Sequence, residues 1–167
     1  MIRSIKFWTQ ALKYINIAKI IGSFSSATRR KVGAIIVSPQ GKIIGTGFNG
    51  APTGVPNECE QDDVTLAHII HAEQNAILNA TTENLAGSTL YLTDSPCIKC
   101  ASIIVQKQFK AVIYGNEYHD ASGREFCEKY GIPVTSIADL DHAMKSFEMS
   151  GATWHNNAMV STKKDEK

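Results

Sequence analysis

Two short motifs constrain this chain more than anything else in it. One is His71-Ala72-Glu73; the other, separated from Glu73 by 22 residues, is Pro96-Cys97-Ile98-Lys99-Cys100. Together they offer one imidazole, two thiols and one carboxylate, the donor set of a catalytic zinc site with a proton carrier beside it. A structural zinc fills all four tetrahedral positions from protein, whereas a catalytic zinc leaves one for water. His71, Cys97 and Cys100 make three. Cys97 and Cys100 are three apart, so a first helical turn puts them on one face. Pro96 suits the start of such a turn, where the leading N–H groups have no intrahelical partner. A helix N-terminus also stabilises thiolates.

His71 and Glu73 are two apart and cannot face one point from a helix interior. They converge only at a helix start. Ala72, Ala76, Ile77 and Ala80 form an apolar stripe of helical spacing that supports a helix there. The spacing therefore predicts two helix N-termini facing one zinc ion per chain, with Glu73 moving protons at the open position. A structural zinc knuckle would need a fourth ligand nearby, and Cys59 and Cys127 each stand alone. A redox pair would leave His71 and Glu73 without a role.

The chain has 167 residues, enough for one domain with a sizeable core. Seventeen Lys and Arg against sixteen Asp and Glu leave a net charge of +1, which gives no electrostatic grip on a long polyanion. Nucleic acid is therefore not an expected partner. Two of the four cysteines are committed to metal, which fits a reducing compartment. No apolar run reaches the ~18 residues of a membrane span, and Lys6 and Lys13 interrupt the apolar N-terminal segment, so neither membrane insertion nor a signal peptide is expected. The expected location is the cytoplasm, the host's if the source is viral.

Ile5, Trp8, Leu12 and Ile15 predict an amphipathic first helix. Strands are predicted over 32–37 and 42–48, joined by a Pro39-Gln40-Gly41 turn, with a loop from Asn49 to Asp63. Further strands are expected over 88–93, 111–114 and 132–136, and helices from His71, over 97–108, 122–130 and 139–147. A hairpin followed by alternating strands and helices implies an α/β fold: a three-layer α/β/α sandwich whose five-stranded mixed sheet becomes parallel and carries helices on both faces. Ligands in such sheets bind beyond the carboxyl ends of the strands, where both motifs lie. Residues 1–150 form the domain and 151–167 a polar tail expected to be partly disordered.

The motif order resembles the cytidine deaminase superfamily. Within it, Lys31 to Val37, the Gly45-Thr46-Gly47-Phe48-Asn49-Gly50-Ala51-Pro52 segment and Tyr118-His119-Asp120 resemble the deoxycytidylate (dCMP) deaminase branch. The resemblance covers roughly residues 5 to 137. It implies hydrolytic deamination of dCMP, supplying dUMP for thymidylate synthesis. It also implies that Glu73 is the catalytic carboxyl and that zinc is held by His71, Cys97 and Cys100. Asn49, the Ala72 N–H, the Ser95 carbonyl and Tyr118 would meet the nucleotide. Many such enzymes are homohexamers activated by dCTP with Mg²⁺ and inhibited by dTTP, and Gly47, Phe48, Asn49 and Gly50 match the segment beside that effector site. Phe48 departs from the usual tyrosine. The stretch before His71 is short and offers only Cys59, so a second zinc is not expected. Read without the resemblance, Asn49-Gly50 is a turn, Tyr118 is an ordinary partly buried aromatic or a ligand contact, and the Arg29-Arg30-Lys31 run is a solvated face or a phosphate contact. A tRNA adenosine or free-base deaminase, or a zinc-stabilised binding module without catalysis, are the competing readings; Glu73 argues against the last.

Overall fold

Alternation along the strands builds two cores on opposite faces of one sheet. The computed structural model describes residues 5–139, 142, 153–155 and 158–160. In chain order the elements are α1 (Ile5–Gly22), β1 (Gly33–Val37), β2 (Ile43–Phe48), β3 (Glu60–Gln61), β4 (Val64–Thr65), α2 (Ala72–Leu78), β5 (Thr89–Asp94), α3 (Ile98–Gln106), β6 (Ala111–Asn116), α4 (Ser122–Lys129), β7 (Val134–Ser136), β8 (Thr153–His155) and β9 (Ala158–Val160). The main sheet runs β2-β1-β5-β6-β7. Its β1–β2 and β1–β5 pairs are antiparallel, and β5–β6 and β6–β7 are parallel. This is the expected five-stranded mixed sheet.

Ala34, Ile36, Leu90, Leu92, Val112 and Tyr114 face Ala72, Ala76, Ala101, Ile104 and Cys127 from α2, α3 and α4. The intervening Ile35, Val37, Tyr91 and Ile113 face Ala11, Tyr14, Ile15 and Ala18 of α1. A period of two along each strand thus serves both layers.

The first helix forms as expected and buries two residues of its predicted stripe, with Leu12 the departure. Trp8 and Ile15 are buried, whereas Leu12 is 47% exposed. The buried seam runs through Ala11, Tyr14, Ile15 and Ala18. Small alanines let the helix lie close on the sheet, and Tyr14 stacks on Tyr91 at 4.8 Å while its hydroxyl donates to the Gly41 carbonyl at 3.0 Å. A reading that seeks large apolar residues passes over alanine as a contact residue.

The Asn49–Asp63 stretch is not wholly loop. Glu60–Gln61 and Val64–Thr65 pair as a small hairpin, turned by Asp62 (φ 49°) and Asp63 (φ 59°). Two successive positive φ values define a type I′ turn, usually signalled by a glycine that this sequence lacks. Of the helix expected over 139–147, only Asp139 and His142 lie among the described residues. Of the 151–167 segment only β8 and β9 do, and they pair antiparallel.

Strand β2 is a sheet edge, and α2 with its C-terminal flank shields it. Asn75 donates to the Phe48 carbonyl (2.7 Å), Asn79 to Thr46 (3.3 Å) and the Thr81 N–H to Ile44 (2.8 Å). Capping alternate outward carbonyls blunts an edge that could otherwise pair with another chain. Gly47 makes this possible: a Cβ there would overlap the Ala76 nitrogen and the Ala72 oxygen. Close helix packing is thus a structural reason for this glycine, independent of any phosphate.

Candidate active site

Both metal motifs begin helices, as their spacing predicts. His71 is the N-cap of α2 and Cys97 the N-cap of α3, each with extended backbone. The His71 N–H donates to Gln74 Oε1 at 3.0 Å, half of a capping box, which fixes the residue from which the imidazole projects. Parallel β5 and β6 deliver the chain so that Ser95 follows the carboxyl end of β5 and Tyr118 that of β6.

Sγ of Cys97 lies 3.5 Å and Sγ of Cys100 3.4 Å from His71 Nδ1, and all three donor atoms fall within 4.8 Å of one another. Zinc bonds of about 2.3 Å to sulfur and about 2.0–2.1 Å to nitrogen in a tetrahedron require an N···S edge of about 3.5 Å. The donors therefore fit zinc. Among the described residues this is the one group of its kind. Cys59 is buried beside Ser26 Oγ at 3.3 Å, in a separate apolar cluster with Ala27 and Ile69.

Of the two thiols, Cys100 is the one whose proton is held more tightly. The Cys100 thiol donates to Cys97 and holds the Cys97 thiol down to about 4, while Cys100 is pushed up, first by that same hydrogen bond and then by burial. His71 is raised, chiefly by its hydrogen bond to Cys97. A cation bridging the three donors replaces that proton. Glu73 is 5% exposed, and burial lifts its carboxyl to about 7. A carboxyl poised there both accepts and returns a proton near neutral pH.

These groups open into a cavity of about 120 Å³ lined by His71, Ala72, Glu73 and Cys97, with Asn49, Ser95 and Tyr118 further along its wall. Every site residue expected at the substrate is thus brought to one cavity. Cys100 lies buried beneath it, 1% exposed. Ala72 is the first residue of α2, so its N–H belongs to those without an intrahelical partner. The Asn49 amide is largely committed: Oδ1 accepts from the Val32 N–H at 2.8 Å and Nδ2 donates to the Arg30 carbonyl at 2.9 Å. It clamps the strand before β1 and keeps one amide hydrogen in reserve. The Ser95 hydroxyl accepts from the Tyr118 N–H at 2.8 Å. Gly47, Phe48 and Gly50 line a different cavity, of about 580 Å³, together with Phe24, Asn75 and Leu78.

Three charged lining residues were not singled out from the sequence: Arg30 stood only within a basic run, and Asp94 and Glu60 carried no signal. Among the described residues Arg30 is the one Lys or Arg on the cavity wall. Its guanidinium sits 5.6 Å from the Tyr118 ring centroid and 3.8 Å from Asp94 Oδ1. Asp94, 7% exposed, also accepts from Thr93 Oγ1 at 3.2 Å. Glu60 Oε2 accepts from the Thr28 N–H (3.1 Å) and hydroxyl (3.2 Å), pinning the β3–β4 hairpin beside Arg30. Only their placement by the fold reveals them.

Fold and site together define a zinc-binding α/β/α protein of the deaminase type. Residues 9–116 match the model of the cytidine and deoxycytidylate deaminase zinc-binding region, and the chain belongs to that family. Deoxycytidylate deaminase of Homo sapiens is 35% identical over 113 residues, covering 59% of this chain and 64% of that protein. Deoxycytidylate deaminase of Mycobacterium phage D29 is 34% identical over 119 residues, covering 62% of this chain and 92% of that one. The crystal structure of dCMP deaminase from the cyanophage S-TIM5, in complex with dCMP and dUMP, superposes with a TM-score of 0.70 at 36% identity, covering 75% of this chain and 94% of that chain. The chain spans 64% of the length of the human relative.

Proposed function

We propose that this chain hydrolyses dCMP to dUMP and ammonia. The observation that carries the reading is the single cavity in which a buried carboxyl, Glu73, adjoins the His71, Cys97 and Cys100 donors while Arg30 stands on the same wall, its one lysine or arginine among the described residues. The likeness to relatives named for this activity supports it.

Zinc, which His71, Cys97 and Cys100 would hold, would supply a nucleophile at neutral pH by lowering the pKa of water to about 7. Glu73 takes a proton from the attacking water and delivers it to the ring nitrogen N3 as oxygen adds to C4. It then carries the second water proton to the exocyclic nitrogen. The C4–N4 bond breaks, ammonia leaves, and the water oxygen remains as the uracil carbonyl. The Ala72 N–H would hold the pyrimidine carbonyl, the Ser95 carbonyl would accept from the amine, and Tyr118 would pack on the ring; all three residues line the cavity. Asn49 offers its remaining amide hydrogen. Arg30, held against Tyr118 by Asp94, is the group for the 5′-phosphate.

A site with a cation aimed at a phosphate loses affinity when the phosphate is missing. The test is kcat/KM for dCMP against deoxycytidine, in wild type and in Arg30→Ala. The reading expects dCMP to be far preferred and Arg30→Ala to erase most of that preference. Equal rates on both substrates in wild type contradict it.

The second cavity, at Gly47, Phe48 and Gly50, is the place for an effector, dCTP with Mg²⁺ or dTTP, in a homohexamer. Among the described residues no Lys, Arg, Asp or Glu lines it. Its phosphate contacts would therefore come from a neighbouring subunit, and Mg²⁺ would arrive with the triphosphate.

A further inference from the structure

The metal ligand Cys97 is backed by a helix that carries no metal ligand. Gly123, buried in the first turn of α4, lies against the Pro96–Cys97 peptide. A Cβ at Gly123 would overlap the Pro96 carbonyl oxygen and stand 2.5 Å from the Cys97 carbonyl carbon and 2.7 Å from its oxygen. Non-bonded carbon atoms settle at about 3.5–4.0 Å, so no larger residue fits unless α4 or the ligand segment moves.

The contact bears on the ligand itself. Cys97 is the N-cap of α3, and its carbonyl accepts from the Ala101 N–H at 2.9 Å. Pushing that carbonyl turns the cap and the Cys97 side chain with it. The stop behind it is firm. Arg124, next to Gly123, donates to the Tyr114 hydroxyl at 3.1 Å and pairs with Glu117 at 2.6 Å. Asp120 Oδ1 accepts from the Ser122 N–H at 2.9 Å, and Cys127 is fully buried. The same β6–α4 stretch also holds Ser95, through the Asn116 carbonyl at 2.9 Å and the Tyr118 N–H at 2.8 Å.

We propose that Gly123 is a positioning residue for Cys97: α4 is a rigid stop that sets where this sulfur stands relative to His71 Nδ1, and so sets zinc affinity and coordination geometry. The proposal rests on zinc binding by His71, Cys97 and Cys100; a wild-type chain that takes up no zinc would sink that reading before this one is reached.

Groups that orient metal ligands typically change affinity 10–100-fold when altered. Gly123→Ala should weaken zinc at least about tenfold in a chelator competition and shift the visible absorption of the Co²⁺-substituted protein. Gly33→Ala is the control, since a Cβ there would overlap the Ala18 carbonyl under α1, away from the metal. It should lower stability yet keep the wild-type zinc affinity and Co²⁺ spectrum. Wild-type affinity and spectrum in Gly123→Ala overturn the proposal, as does an equal loss in Gly33→Ala. If Gly123→Ala does not fold, hydrogen exchange on the wild type decides, because coupling between two sites is reciprocal. Stripping zinc should speed exchange of the Glu125 amide, bonded to the Ala121 carbonyl at 3.0 Å, but not of the β1 amides. Identical protection of Glu125 with and without zinc overturns it.

Discussion

In the proposed mechanism Glu73 is the residue on which the chemistry turns, and burial is what raises its pKa. Its carboxyl rises from the ordinary 4.5 to about 7 because the charged form is desolvated. The fold therefore favours the protonated form. That stability is full below about pH 4.5 and is lost as pH rises through about 7. Glu73→Gln never ionises and escapes the loss, so its melting temperature should exceed wild type at pH 8 and equal it near pH 4.5. Melting curves that run parallel across this range contradict the assignment. The Cys97–Cys100 pair gives a second expectation. Zinc must displace the Cys100 thiol proton, so affinity should rise about tenfold or more per pH unit toward neutrality. Cys100→Ala should lose the metal, which elemental analysis reads directly; normal zinc content in that variant removes Cys100 from the ligand set. His71, Glu73, Cys97 and Cys100 were all legible in the sequence, because ligand chemistry and helix-start geometry restrict both residue type and spacing. Arg30 and Asp94 were not, because their roles come from two segments meeting, and nothing local in either segment marks it.

At the scale of elements, periodicity located every strand of the main sheet to within two residues at each end and missed the small hairpin. The Asp62-Asp63 turn has positive φ at both residues without glycine, so it sent no signal. Leu12, the departure from the predicted stripe on α1, gives the sharpest test. Periodicity alone puts Leu12 in the core, whereas packing puts it at 47% exposure and leaves Ile15 at 2%. Ile15→Ala should cost about 2–5 kcal/mol in urea unfolding, the range for emptying a packed site. Leu12→Ala should stay within about 0.5 kcal/mol of wild type, as exposed substitutions do. Equal costs would mean that α1 docks through the other face. Glycine at 47 belongs to this scale as well. The resemblance put it beside an effector site, and the fold gives it the backbone of α2 to accommodate.

For the whole molecule, one sheet separates a structural layer, α1, from a functional one, where α2 and α3 aim their N-termini at one cavity. No helix among the described residues is long and apolar enough to cross a membrane. The cavity at Gly47, Phe48 and Gly50 shares a short loop with Asn49, which clamps the strand before β1 at the first cavity, so the proposed effector would act on the site without a long relay. Effector coupling is typically worth about 1–3 kcal/mol. Kinetics sigmoidal in dCMP should become hyperbolic with Mg²⁺–dCTP, and dTTP should inhibit; indifference to both nucleotides would show that this chain lacks the switch. The central claim has a more direct test. Zinc-loaded protein incubated with dCMP should release ammonia and dUMP in equal amounts, and Glu73→Gln, still holding zinc, should lose at least about 10²–10⁴-fold of that turnover. A zinc-loaded wild-type chain that releases no ammonia from dCMP, or a Glu73→Gln variant that retains a third of the rate, contradicts the account.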